Sequence, residues 1–279
     1  MTYHDAHVHF FPTPLKNAID QWFAAAGWRL HYRGMQSESL LENLRADGAD
    51  HLAVLVYAHK PKIAASLNSW LYQFGLQHDG LHLFGTVHPS DSDMASEVAR
   101  CLGEWNFTGF KLHANVQQVS VDDPRLTPLM EGVLARRRGL VIHAGREPHT
   151  NSYVGWQPFS RLMARYPQLK VQVAHLGYDE IGEFIAMSRD YPHLYFDTAA
   201  VPSPRFPLDD ARFLDIVKSV PNRIIYGSDM PVMEESVTQY RHRISKILGN
   251  SAALQHKVFV ANAERFWGVE EHSLECRTD

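Results

Sequence analysis

The chain has 279 residues, a formal net charge of −4, 45% hydrophobic residues and 21% charged residues. That balance is ordinary for a globular protein able to bury a sizeable core, and it carries no cationic excess that would draw it to nucleic acid or an anionic membrane. The two cysteines, Cys101 and Cys276, make neither a CxxC motif nor a disulfide framework, and no secretory leader or membrane-length apolar run stands out, so a cytoplasmic setting is expected.

The first apolar run, Tyr3–Phe10 (YHDAHVHF), predicts a strand although it carries Asp5, His7 and His9 at alternate positions, which would share one face. The following FFPTP turns the chain away, leaving Phe10 and Phe11 to wall a pocket. Seven further apolar runs predict strands: His51–His59, Leu81–His88, Phe107–Ala114, Gly139–Gly145, Leu169–Gly177, His193–Ala200 and Arg223–Asp229. The stretches between them predict helices. Pro61–Gly80 places Ile63, Leu67, Trp70, Leu71 and Phe74 on one helical stripe and ends on Asp79-Gly80. Met94–Glu104 comes next, then Pro124–Gly139, whose three arginines and Gly139 read as a basic last turn and its C′ glycine. Trp156–Tyr166 and Tyr178–Arg189 follow, and Asp209–Pro221 starts on acidic residues and stops at a proline.

Eight strands alternating with helices predict one α/β domain over residues 1–279, a (β/α)8 TIM barrel. A doubly wound sheet would bring a Gly-rich phosphate turn after its first strand, and the sequence has none. The tail Glu270–Asp279 reads as a mobile end.

Ionisable residues stand where the runs stop. The first gives Asp5, His7 and His9, the fourth Lys111 and His113, the fifth His143, the sixth His175 and the eighth Asp229. A barrel gathers the C-terminal ends of all its strands around one mouth. Several imidazoles and a carboxylate meeting there make a divalent-metal site, suited first to Zn2+ and also to Mn, Fe, Co or Ni. Any single HxH or strand-end histidine is more often an ordinary side chain; the joint pattern carries the weight. His51, His59, His78, His82, His193, His242, His256 and His272 read as ordinary core or surface histidines.

At these residues the sequence resembles the amidohydrolase superfamily, in its amidohydrolase-related group of metal-dependent TIM-barrel enzymes. The motifs are DAHVH (Asp5–His9), GFKLH (Gly109–His113), VIHAG (Val141–Gly145), VAHLG (Val173–Gly177), YGSDMP (Tyr226–Pro231) and NAERFWG (Asn262–Gly268). The resemblance implies His7, His9, His143 and Asp229 as metal ligands, and His175 as a further ligand or a general acid/base. It implies Asp229 also as the group that accepts a proton from the attacking water. It implies a second metal if Lys111 is carboxylated; the mononuclear reading is preferred because His113 stands nearer the mouth. Asp5 is expected to orient a ligand histidine, and the resemblance admits a homodimer.

The reaction expected is hydrolysis of a small lactone, amide or ester, carboxylated or not, by a metal-activated water. The alternatives are non-oxidative decarboxylation of a small aromatic or unsaturated acid on the same site, and a metal-free barrel that only binds a small ligand. In Gly145–Trp156, Arg146, His149, Tyr153 and Trp156 are offered to substrate, with Arg146 a clamp for a carboxylate. His59 and Lys60 offer a second cationic edge, and the loop Ala199–Asp210 part of the rim.

Overall fold

The computed structural model describes residues 2–146, 151 and 153–269. The tail 270–279, with His272 and Cys276, lies outside the described residues. Eight parallel strands run in sequence order: β1 (Tyr3–Val8), β2 (Ala49–Leu55), β3 (Leu81–Gly85), β4 (Gly109–His113), β5 (Gly139–His143), β6 (Lys170–Val173), β7 (Leu194–Asp197) and β8 (Ile224–Ile225). Backbone bonds close the ring between the continuation of β8 and β1: Ala6 N donates to Tyr226 O (2.9 Å), Asp229 N to His7 O (2.8 Å) and His9 N to Met230 O (2.7 Å). This is the (β/α)8 barrel. Gly227 permits the closure, because a Cβ there would lie 2.7 Å from the Cβ of His7.

Helices cover the outside, and a large apolar layer fills the space between them and the sheet. Inside the barrel, a second layer packs Ala6, Leu55, Phe84, Val141, Tyr195 and Ile225 against Phe266 of the final helix Asn262–Trp267. Phe266 and Trp267 therefore plug the bottom of the barrel, as His82 stacks on Trp267 with ring centroids 3.9 Å apart. Above this apolar floor the interior turns polar, with His7, Lys111, Gln172 and Asp197 all fully buried. Among the described residues, no helix is long and apolar enough to cross a membrane.

Most predicted elements are present, with shorter strands. Several boundaries differ for local reasons. The basic turn Arg136–Arg138 ends its helix at Ala135, with Arg137 at φ 52°; Gly139 is not a helix cap but the first residue of β5. The helix expected from Tyr178 begins at Ile181, because four consecutive residues, His175 to Tyr178, have positive φ. Phe10 does not wall a pocket: it is buried against Phe74, 5.6 Å between ring centroids. The helices Thr13–Ala25, Ser37–Ala46 and Val237–Leu248 had no counterpart in the sequence reading.

Replacing Phe266 by alanine opens a void in the barrel floor. The expected cost is about 3–5 kcal/mol, read as a lower chemical-denaturation midpoint.

Candidate metal centre

β1 is irregular between Asp5 and Val8 in its pairing with β2. A bulge of this kind re-aims side chains. Ala6 packs into the inner layer, and His7 beside it also faces inward, towards the mouth. Asp5 therefore does not share the histidine face. Its Oδ1 accepts from the backbone N–H of His7 (3.2 Å) and of Ser228 (2.9 Å), which ties β1 to β8. Burial pushes the Asp5 carboxyl up to about 7.

The carboxylate that orients a ligand imidazole is Asp197, at the end of β7, which the sequence reading passed over. Its Oδ2 accepts from His7 Nδ1 (2.9 Å) and Gln172 Nε2 (2.6 Å). Its Oδ1 accepts from the backbone N–H of His175 (2.8 Å) and Ala199 (3.1 Å). The signal was available: a carboxylate ends the seventh apolar run, HLYFDTAA.

These contacts fix the tautomers. His9 Nδ1 faces Leu55 O at 2.8 Å and His175 Nδ1 faces Ala199 O at 2.9 Å; a carbonyl only accepts, so both nitrogens carry the proton. His7 donates its Nδ1 proton to Asp197. In each neutral ring, Nε2 is left as a lone pair. Burial first, and its coupling to Lys111 and to the His9 and His143 imidazoles after it, hold His7 neutral well below the ordinary histidine range. Burial lowers His175 and His113 in the same way.

The lone pairs converge. His7 Nε2 lies 3.2 Å from His9 Nε2, and Asp229 Oδ1 lies 3.4 Å from the first and 3.3 Å from the second. Asp229 sits at φ 63°, a left-handed conformation that aspartate tolerates better than most residues, and this aims its carboxylate back across β1. Three acceptors at such separations repel one another without a cation between them. With one, the spacing is that of adjacent donors on a first-row metal with bonds of about 2.0–2.2 Å. The donor set therefore fits a divalent cation. Among the described residues, His7, His9 and Asp229 are the group whose ligand atoms all lie within 4.8 Å of one another.

The other expected ligands stand close by, outside that group. The His175 ring is 4.9 Å from that of His7, and His143 is 4.8 Å from His175, centroid to centroid. His143 stacks on His113 at 4.1 Å. Lys111 Nζ lies 3.4 Å from His7 Nε2, and burial lowers its pKa to about 8 against the pull of Asp197 and Asp229. His113 does stand nearer the mouth than Lys111: it borders the cavity, while Lys111 is fully buried below.

A cavity of about 690 Å3 opens above these residues. His59, His113, Asn115, Asn151 and Tyr153 line its polar side. His59 is thus a cavity residue and not an ordinary surface histidine. Arg146 is not among the described lining residues. It pairs with Glu180 (2.8 Å), whose Oε2 also accepts from Trp156 N, so the expected carboxylate clamp is engaged elsewhere. Trp156 packs on Phe184 behind the wall. Lys60 is exposed and outside the described lining, His149 lies outside the described residues, and the loop after β7 supplies Phe206 to the rim. Phe11 stacks behind His9, 5.9 Å between centroids.

A sequence profile of a family described as amidohydrolase matches residues 4–269. Among curated proteins, none matches the chain. Solved structures do. An uncharacterised TIM-barrel protein from Bordetella bronchiseptica superposes with a TM-score of 0.74 at 16% identity, covering 95% of this chain and 98% of the other. A 2,6-dihydroxybenzoate decarboxylase from Rhizobium gives 0.71 at 14% identity, covering 97% and 100%. A 5-carboxyvanillate decarboxylase from Novosphingobium aromaticivorans, complexed with manganese and 4-hydroxy-3-methoxy-5-nitrobenzoic acid, gives 0.68 at 16% identity, covering 95% and 96%. At these identities the likeness speaks for the fold.

Two outcomes test the centre. The double substitution His7→Ala with His9→Ala should abolish binding of Mn2+ or Zn2+, measured by elemental analysis, while circular dichroism still reports a folded barrel; unfolding of the double variant would refute the assignment. Asp197→Asn should weaken cation affinity about 10–100-fold by releasing the His7 ring, as read by titration with a metal-competing dye.

Proposed function

The chain belongs to the amidohydrolase family, and from that premise we propose that it is a metal-dependent, non-oxidative decarboxylase of a small aromatic acid. The observation that carries this reading is the convergence of His7 Nε2, His9 Nε2 and Asp229 Oδ1 at the inner end of a cavity whose walls are largely aromatic and aliphatic. The decarboxylase activities named for two of the structural neighbours support it.

His7, His9 and Asp229 would hold the cation, with His143 and His175 bordering it. A bound Mn2+ or Zn2+ supplies Lewis-acid polarisation of the substrate oxygens. The protein's own groups do the rest. Asp197 keeps His7 and the His175 backbone in place. His113 and Tyr153 border the cavity where the substrate's polar edge would lie. As the bond between the carboxylate and the ring breaks, the electron pair stays on the ring carbon, which must take a proton. Asp229 is the group at hand to deliver it, because its carboxylate borders the cavity beside the cation site. His175, stacked on Tyr178 and held neutral with Nε2 as a lone pair, has no proton to give and would serve only as an acceptor or a ligand.

A second reading, hydrolysis of a small lactone, amide or ester, is favoured by the place of Asp229. The same buried carboxylate, bordering the open cavity, could equally take a proton from water. The engagement of Arg146 by Glu180 argues against a separate carboxylate clamp in either case.

Incubating Mn2+-loaded protein with monocarboxylated hydroxybenzoates, 2,6-dihydroxybenzoate among them, should release CO2, and chelation should stop it. Asp229→Asn should keep part of the cation and lose at least about 100-fold in turnover. Ester or lactone cleavage with no CO2 from any aromatic acid would replace this reading with the hydrolytic one.

A further inference from the structure

The helix Thr13–Ala25 is inside out. The side chains it buries most are Lys16 and Asp20, which pair with each other through both carboxylate oxygens at 2.7 Å. Its apolar positions Leu15, Ala18, Ile19, Trp22 and Phe23, at i, i+3, i+4, i+7 and i+8, line the cavity, Leu15 and Ile19 resting on the core as well. An amphipathic helix on a barrel ordinarily turns that stripe to the sheet. Here it faces the space above the metal centre, and Trp22 is 52% exposed there.

The wall is built and braced. Asp20 also accepts from Gly34 N (2.8 Å), which fixes the helix to the following loop. A run of ring contacts crosses from the rim to the site. Phe23 meets Trp28 at 5.0 Å, Trp28 meets Phe206 at 6.0 Å, Phe206 meets Tyr178 at 5.0 Å, and Tyr178 stacks on His175 at 4.6 Å. Arg205 lies over Trp28 at 3.9 Å and reaches Glu234, which also accepts from Arg29 N, so its charge is spent on the outside of the wall. Among the described residues, no lysine or arginine lines the cavity. A second anionic group on a substrate would meet no lysine or arginine among these described residues.

We propose that this wall is a substrate subsite, and that the substrate carries one oxyanionic head and, opposite it, a large apolar substituent that extends beyond a single hydroxylated ring. The proposal rests on the reading of the inner end as the reacting centre. The head meets the three converging donors and their cation, and the substituent lies along Ile19, Trp22 and Phe23. The cavity volume is in the range of sites that enclose ligands of that size.

The test is calorimetric, on Mn2+-loaded full-length protein, with salicylate, 4-phenylsalicylate and 4-phenylphenol. The phenyl-extended acid should bind at least about tenfold tighter than salicylate. That ratio should fall towards one in Ala18→Trp, which fills the groove, and should shrink in Trp22→Ala, which strips it. A ratio near one in the unaltered protein, or a ratio unchanged in both variants, overturns the subsite. So does a shift in sedimentation of Trp22→Ala with no change in ligand ratio, which would mean that a second copy covers the wall. If salicylate fails to bind while 4-phenylphenol binds in a way both variants weaken, the subsite stands and the aromatic-acid reading of the inner end falls.

Discussion

One buried carboxylate organises the mouth of this barrel. Asp197 gathers four N–H groups from three elements: the His7 ring on β1, the Gln172 amide on β6, and the backbones of His175 and Ala199 after β6 and β7. A fully buried carboxylate is costly unless such donors compensate it. Here the compensation also does chemical duty. It consumes the Nδ1 proton of His7 and so commits Nε2 to be a lone pair. It also anchors the start of the left-handed run His175–Tyr178, a conformation that costs free energy at each non-glycine residue. The strain is concentrated where the rings must meet.

The order of elements was legible in the sequence because strand and helix periods differ and apolar runs mark the strands. Five of the six short motifs pointed to the mouth, where His7, His9 and Asp229 stand together, while the sixth, Asn262–Gly268, forms the floor. What was not legible has specific physical causes. Alternation placed Asp5 with His7 and His9 on one face, but the irregularity in β1 breaks the alternation, and no local residue pattern announces it. Asp197 ends an apolar run as plainly as His143 does, yet an aspartate before threonine and alanine looks like a turn. Arg146 sits next to the site in sequence and is drawn off by Glu180, a partner 34 positions away. The helix Thr13–Ala25 was missed because the pattern FFPTP reads as a turn, and its polar pair lies where an apolar face was expected.

The two ends of the barrel interior divide the work. The lower end is an apolar packing layer closed by Phe266 and Trp267, and it answers for stability. The upper end carries His7, Lys111, Gln172 and Asp197 without exposure to solvent, and it answers for charge placement. Such a separation lets residues at the mouth change chemistry while the floor keeps the fold, the usual arrangement in this architecture. The cavity above belongs to the loops and to one reversed helix, which is where specificity between related substrates would be set.

Ring closure has a consequence for biogenesis. His7 lies in the first strand, His9 just past it and Asp229 in the segment after the eighth, and the same backbone bonds that join those strands bring the three together. During synthesis, the early histidines emerge long before Asp229 exists to complete the set. The three side chains therefore come together only when the segment after the last strand docks against the first.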